Sequence, residues 1–350
     1  MTQLSPLNPA MAATELPPVM EARRWIAGVT FPANRPLINV SQAAPIDLPP
    51  LGLRQAIADA SLNDPNAHLY GPVLGMPELR AEIAHQWSRA YDGTITPEQT
   101  AITQGCNQAF CAAISTLAGA GDEVILPCPW YFNHKMWLDM AGITTVPLSS
   151  GADLIPTAAA AEALITPKTK AIVLVSPNNP GGVEYPAQTL TDFRDLARRR
   201  GLVLIVDETY RDFDSRSGRP HDLFTQSDWG DGFIQLYSFS KAYRLTGHRV
   251  GAIVASTARL AEVEKFLDTV AICPSQLGQI AALWGMRNLG PWVAQQRTEI
   301  LARRSAMIAG FAALPAWKLL GCGAYFAYVE HPFALSSTEV CKQAVAQSSI

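Results

Sequence analysis

Apolar residues fall in short unbroken runs through the middle of the chain, and stretches of helical spacing separate most of them. The runs at 123–126, 144–147, 171–175, 202–207, Phe233–Ser238 and 249–255 read as strands, with a shorter one at Thr100–Thr103. Ala-Ile-Val-Leu-Val (171–175) and Leu-Val-Leu-Ile-Val (202–206) are apolar at every position, which suits strands covered on both faces. Helical patterns occupy 51–61, Pro77–Tyr91, 104–118, 136–141, 154–164 and 190–200. In the second of these, Leu79, Ile83, Ala84 and Trp87 form one apolar stripe. The alternation predicts an α/β fold built on a mostly parallel sheet covered by helices. A long helix is predicted over 292–314 and a hairpin over 323–329. The first 35 residues are rich in proline, with little periodicity before 19–27, and read as an arm laid over the rest. The expected organisation is an arm and small-domain segment over 1–48, a large domain over 49–288, and an inter-domain helix with part of a smaller α+β domain over 289–350.

Composition narrows the function classes. With 350 residues, 48% hydrophobic and 16% charged, the chain can bury a large core and is long enough for two lobes. Its 27 Lys and Arg against 30 Asp and Glu leave a net charge of −3, which gives no electrostatic case for wrapping nucleic acid or coating an anionic membrane. No apolar run approaches the ~20 residues of a membrane span. Residues 1–18 lack the basic start and apolar stretch of a signal peptide, so a cytoplasmic protein is expected. The six cysteines form no C-x-x-C pair and read as free, mostly buried thiols. The histidines show no metal-ligand spacing, and no metal site is expected.

In open α/β sheets, ligands bind beyond the carboxyl ends of the strands, so the residues that follow each run carry the chemistry. After 171–175 comes Ser-Pro-Asn-Asn-Pro-Gly-Gly (176–182). After 202–206 comes Asp207-Glu208-Thr209-Tyr210. After 233–237 comes Ser238-Phe239-Ser240-Lys241, with Arg249 eight residues on at the expected start of the next strand. After Thr103 comes Gln104-Gly105-Cys106-Asn107 at a predicted helix N-terminus. Such an N-terminus offers backbone amides to a phosphate, and Ser238, Ser240 and Arg249 are further donors. A lysine hemmed in by apolar segments has a lowered pKa and can attack a carbonyl carbon. An aspartate at a sheet edge stays ionised when a cation faces it, and a protonated pyridine nitrogen would serve. Phosphate donors, a Schiff-base lysine and an acidic partner are the requirements of pyridoxal 5'-phosphate. Each residue alone has an ordinary structural reading, Lys241 as a surface charge, Asp207 as a cap and 179–181 as a turn. Their conjunction at four strand ends favours the cofactor.

The sequence resembles the class I aminotransferases, pyridoxal-phosphate enzymes of fold type I, over about 37–329. Ser238-Phe239-Ser240-Lys241 with Gly247 and Arg249 matches the family's S-x-S-K-x-x-x-x-x-[GN]-x-R-x-G signature. The resemblance implies that Lys241 forms the Schiff base with the cofactor, and that Ser238 and Arg249 bind its phosphate. Asp207 and Tyr210 match D-x-x-Y, which implies that Asp207 pairs with the pyridine nitrogen and that Tyr210 reaches the ring oxygen O3′. Asn179 opens Asn-Pro-Gly-Gly and is expected to face O3′ as well. Gly105, Cys106 and Asn107 stand where the family's amides cradle the phosphate, and Tyr131 in Pro129-Trp130-Tyr131 where an aromatic stacks on the ring. Tyr70-Gly71-Pro72 resembles the segment whose tyrosine reaches the cofactor of a neighbouring subunit, so a homodimer is implied. Pro274-Ser275 and Gln279 resemble the interface segment before the inter-domain helix. The expected reaction is amino transfer from an α-amino acid to a 2-oxo acid with ping-pong kinetics.

Two features depart from the family pattern. Ala43-Ala44-Pro45 stands where G-x-P is usual, and the added methyl would narrow the substrate pocket. No arginine follows Arg304, so nothing matches the carboxylate-clamping arginine of the family's C-terminal segment, and the sequence reads as truncated there. The alternatives are another fold-type I reaction, a β-lyase or decarboxylase, and a catalytically impaired cofactor-binding protein. Which amino acid and oxo acid are used is open from sequence. Arg24 and Trp25 in the arm are expected to be structural, and no arginine supports a dicarboxylic substrate.

Overall fold

The apolar runs do form one sheet. Its strands are β1 (Thr100–Thr103), β2 (Glu123–Cys128), β3 (Thr144–Ser149), β4 (Thr169–Val175), β5 (Val203–Asp207), β6 (Phe233–Ser238) and β7 (Gly251–Val254), in the order β1-β7-β6-β5-β4-β2-β3. These come from a computed structural model that describes residues 6–350; the start of the expected arm, 1–5, lies outside the described residues. Five of the strands run parallel to their sequence neighbours in the sheet, β6 with β5, β5 with β4, and β2 with both β4 and β3. β7 is antiparallel to β1 and to β6.

Strand alternation explains why the central runs are apolar throughout. Ile172, Leu174, Leu204 and Val206 point to one face, where they join Leu79, Ile83 and Trp87 of the Pro77–Tyr91 helix and Phe193 of the Ala187–Arg200 helix. Ala171, Val173, Ile205 and Leu236 point to the other, with Ala109, Phe110 and Ala113 of the Cys106–Ser115 helix and Val263 of the Thr257–Ala271 helix. Each of these positions removes apolar surface from water at roughly 25 cal/mol per Å², so a polar residue there is unfavourable on either face.

The same alternation separates two neighbouring carboxylates. Asp207 ends β5 on the face of Phe110, while Glu208 turns to the face of Trp87 and Tyr91. Glu208 is buried, accepts from Tyr91 Oη at 2.7 Å and from Gln235 Nε2, and lies 3.3 Å from His221 Nε2. Arg211 stacks over Trp87, 3.9 Å from the ring centroid, and donates to Tyr91 Oη at 3.0 Å. Burial opposes the Glu208 charge, but His221 and Arg211 outweigh it and hold the carboxyl down to about 2. Against an ordinary value of 4.5, that stabilisation is complete above about pH 4.5. It is lost as pH falls toward 2, and is worth on the order of 3 kcal/mol. Glu208→Gln is therefore expected to lower the denaturant midpoint at pH 6, with the gap to wild type closing by pH 3. A gap independent of pH would contradict this account.

Several expected elements shift. β7 begins at Gly251, so Arg249 does not open the strand; it has φ 51° and ψ 64°, left-handed, after the Thr246–His248 turn. The turn lets the chain reverse into an antiparallel strand. The helix expected over 154–164 shrinks to Ala158–Glu162, because Pro156 cannot join the hydrogen-bond ladder and Thr157 caps the start by accepting from Ala160 N. The Thr257–Ala271 and Gln276–Asn288 helices were not predicted. Of the six cysteines, all free, only Cys106 is buried; Cys341 is exposed and the rest are half-buried.

The final third holds the Gly290–Ala312 helix, a hairpin of β8 (Lys318–Gly323) and β9 (Phe326–Glu330), and the Ser337–Ser348 helix. The arm carries the short Pro9–Ala13 and Pro18–Ile26 helices and is tied to the C-terminal end by Arg35 Nη1 to Gln347 O at 2.5 Å and Ile38 N to Ser349 O at 2.8 Å. Trp25 lies against Lys342, 5.7 Å from its amine. Among the described residues, no helix is long and apolar enough to cross a membrane.

Candidate active site

Because β7 runs against its neighbours, its first residue lies at the same sheet edge as the last residues of β1 and β6. Gly251 pairs with Thr103 on one side and with Ser238 on the other. This register brings Gly105, Arg249 and Ser238 to Lys241 into one cluster, although they are spread over more than a hundred positions of sequence. Gly251 is required for the approach, since a Cβ there would sit 2.6 Å from the Gly105 carbonyl carbon. Asp207 joins the same edge by pairing with Val175 and Leu236.

Lys241 sits in the four-residue helix Phe239–Ala242 that follows β6, capped by Ser238, whose Oγ accepts from Ser240 N at 3.2 Å. Its Nζ donates to the carbonyl oxygen of Ala43 in the arm at 2.5 Å and lies 5.7 Å from the Tyr210 ring centroid. Burial, and then the Arg249 charge, push its pKa down to about 8. Far more of this amine is therefore unprotonated near neutral pH than of a surface lysine, which makes it a competent nucleophile.

Asp207 is buried, and its Oδ1 accepts from Thr209 N at 2.9 Å. Its Oδ2 lies 3.4 Å from His134 Nε2, at ion-pair distance but without hydrogen-bond alignment, so we treat that contact as electrostatic. Burial raises the Asp207 pKa, but His134 and Thr209 outweigh it and hold the carboxyl below its ordinary value. His134 is buried and stacked on Phe110 with centroids 3.9 Å apart. Nothing in the histidine spacing singled it out. The legible signal was its place three residues after Tyr131, on one helix turn.

At the opposite side of the cluster, the first amides of the Cys106–Ser115 helix have no intrahelical acceptors. The Arg249 guanidinium is exposed and forms no ion pair with a carboxylate among the described residues; its Nη1 reaches Thr246 O at 3.1 Å and Ser240 Oγ at 3.5 Å. Gly105 has φ 83° and ψ 167°, a conformation essentially reserved for glycine, and a Cβ on it would fall 2.2 Å from Arg249 Nη2. Gly105→Ala is expected to displace that guanidinium and weaken binding of a phosphate-bearing ligand at least tenfold. A titration with unchanged affinity would contradict the assignment.

Tyr131 is held at this side as well, donating to Asn107 Oδ1 at 3.1 Å and accepting from Asn133 Nδ2 at 2.9 Å. Tyr210 is buried edge-on to Phe326, with centroids 5.0 Å apart, and burial pushes its pKa well above the ordinary value. In the 176–182 turn it is Asn178 that holds the backbone, accepting from Gly181 N at 2.8 Å and donating to Tyr185 Oη at 3.1 Å. Asn179 makes no side-chain hydrogen bond among the described residues. Tyr70 is 80% exposed and makes no hydrogen bond or ring contact with the cluster of its own chain.

The profile that describes aminotransferases of class I and II matches residues 35–350. The chain belongs to the class I and II aminotransferase family. Among curated relatives of this aminotransferase, an aromatic aminotransferase of Arabidopsis thaliana is 29% identical over 300 residues, 83% of this chain and 73% of the relative. Solved structures share the fold. The aspartate aminotransferase of Rhizobium meliloti superposes with a TM-score of 0.87 at 20% identity, over 99% of this chain and 90% of that one. The N-succinyldiaminopimelate aminotransferase of Mycobacterium tuberculosis gives 0.86 at 24%, over 98% and 89%. Aminotransferases of this family depend on pyridoxal phosphate. The donor set fits that cofactor on three counts. It offers an unpaired guanidinium and free helix amides for a phosphate, a buried carboxylate able to face a cationic ring nitrogen, and a lysine amine of lowered pKa.

Proposed function

We propose that this aminotransferase moves the amino group of an α-amino acid to a 2-oxo acid at the Lys241 cluster, in two half-reactions with ping-pong kinetics. The observation that carries the reading is the half-buried Lys241 amine, with its pKa lowered to about 8, at the sheet edge that also holds Asp207 and Arg249. When bound, pyridoxal phosphate supplies a carbonyl carbon that takes up the amino group and a ring that accepts the electron pair released at the substrate Cα.

The chain's own residues do the rest. Arg249, Ser238, Ser240 and the amides of Gly105, Cys106 and Asn107 hold the phosphate, while Tyr131 covers one face of the ring. Asp207 keeps the ring nitrogen protonated, with His134 and Thr209 keeping Asp207 ionised. Asn179 and Tyr210 donate to the ring oxygen O3′. Lys241 anchors the cofactor and, once the substrate amine has replaced it, carries the proton between the substrate Cα and the carbon that receives nitrogen. A base of pKa about 8 is close to the optimum for that transfer at neutral pH. Two copies of the chain pair so that Tyr70 reaches the partner's cofactor. The exposure of Ile46, Leu48, Leu51 and Leu69 near that segment supports the pairing, since separate apolar side chains of this number favour a covering surface.

The experiment is to supply the cofactor-loaded protein with a panel of amino acids and one 2-oxo acid, and to assay new oxo acid, ammonia and carbon dioxide. Stoichiometric oxo acid and amino acid, without ammonia, is the expected result. Release of ammonia or carbon dioxide as the main product would overturn it in favour of a lyase or a decarboxylase.

A further inference from the structure

The Phe132–Met140 helix begins beside the candidate site and presents two polar residues in succession, Asn133 and His134. His134 faces the Asp207 carboxylate. Asn133 faces the other way along the same turn, and its Nδ2 donates to Tyr131 Oη at 2.9 Å. That hydroxyl in turn donates to Asn107 Oδ1 at 3.1 Å, on the helix whose first amides face the phosphate position. The Tyr131 ring is also boxed edge-on by Phe132 and His134, with centroids 5.2 and 5.0 Å away.

The geometry points to Asn133 as a positioning residue, which fixes the Tyr131 ring over the cofactor by occupying the one acceptor position that the Asn107 bond leaves available. The inference rests on the functional reading above. A phenol hydroxyl has a single proton, and here it is committed to Asn107; the orientation of the ring is therefore set by which donor fills its lone pair. Asn133 can fill it, and the neighbours Phe132 and His134 cannot, because the first carries no donor and the second is turned to Asp207. Burial, and then the Asp207 charge, push the Tyr131 pKa up to about 12, so the proton stays in place across the working range of pH. With both partners present, the ring is confined before the cofactor arrives, and the ordering cost that would otherwise weaken binding is avoided.

The test is a double-mutant cycle with Asn133→Ala and Tyr131→Phe, read by the affinity of the protein for pyridoxal phosphate and by the visible circular dichroism per bound cofactor. Asn133→Ala is expected to weaken binding about fivefold, the equivalent of one hydrogen bond at about 1 kcal/mol, and to reduce the visible dichroism. In the Tyr131→Phe background, where the hydroxyl is gone, the same substitution is expected to change affinity less than twofold. Equal effects in both backgrounds would show that Asn133 acts other than through Tyr131, and would overturn the inference. So would a normal affinity and dichroism in Asn133→Ala alone. Failure of the wild-type protein to bind the cofactor is a different outcome, since it removes the functional reading itself.

Discussion

Lys241→Ala is expected to lower amino transfer by at least about 10³-fold, the largest effect of any single substitution in the chain. Positioned proton transfer alone contributes roughly 10² to 10⁴-fold, and the variant also loses the covalent anchor. The environment makes the amine hard to replace. A lysine free in water titrates near 10.4, whereas burial and Arg249 bring Lys241 to about 8. No other lysine of the chain has a lowered pKa and a place in this cluster to substitute for it. The substitution should leave the fold intact, because position 241 lies in a short helix and alanine is the strongest helix former. Borohydride reduction of the cofactor-loaded wild type, followed by peptide mass spectrometry, is expected to place the reduced cofactor on the peptide holding residue 241 and nowhere in the variant. Labelling of a different lysine, or a variant rate within tenfold of wild type, would refute the assignment.

The second large effect is expected at Asp207. Asp207→Asn keeps the size of the side chain and an oxygen that can accept from Thr209 N, now at 2.9 Å, but removes the charge. Breaking one partner of a buried charge pair costs about 3–5 kcal/mol, which corresponds to roughly 10² to 10³-fold in kcat/KM if the partner is the cationic ring nitrogen. His134 does not compensate, since its imidazole already faces the same carboxylate at 3.4 Å and would then face an amide. Asp207→Glu keeps the charge with an extra methylene in a buried site and is expected to recover part of the loss. The measurement is kcat/KM for all three forms at saturating cofactor. An Asn variant within tenfold of wild type would show that the ring nitrogen does not depend on this carboxylate.

The two residues also mark how far the amino-acid sequence could be read. Asp207 and Lys241 were legible because each follows an apolar run, and ligands in such sheets bind where strands end. The Asp-x-x-Tyr and Ser-x-Ser-Lys patterns then tied them to one chemistry, and the matching family profile agrees. Glu208 shows the limit of that method. It is adjacent to Asp207 and has the same chemistry, yet strand alternation sends it to the opposite face, into a network with Tyr91, Gln235 and His221. No local pattern distinguishes two neighbouring carboxylates; what separates them is which helix packs on each face.

Arg249 marks the limit in another way. Its place in the signature was visible, but a strand was expected to begin with it, and it stands instead in a left-handed turn before Gly251. His134, Asn133 and the Ala43 carbonyl carried no site pattern at all. They reach the cluster because one helix packs beside Phe110 and because the arm folds back across 198 positions to Lys241.

Local sequence determined the strands, most of the helices and the residue types at four strand ends, because period and turn chemistry act over a few positions. The antiparallel course of β7, the separation of Asp207 from Glu208, and the support given by His134, Asn133 and the arm were decided only by the tertiary structure. Each depends on register and on packing between segments far apart in the chain, and those contacts form only when the whole core is assembled.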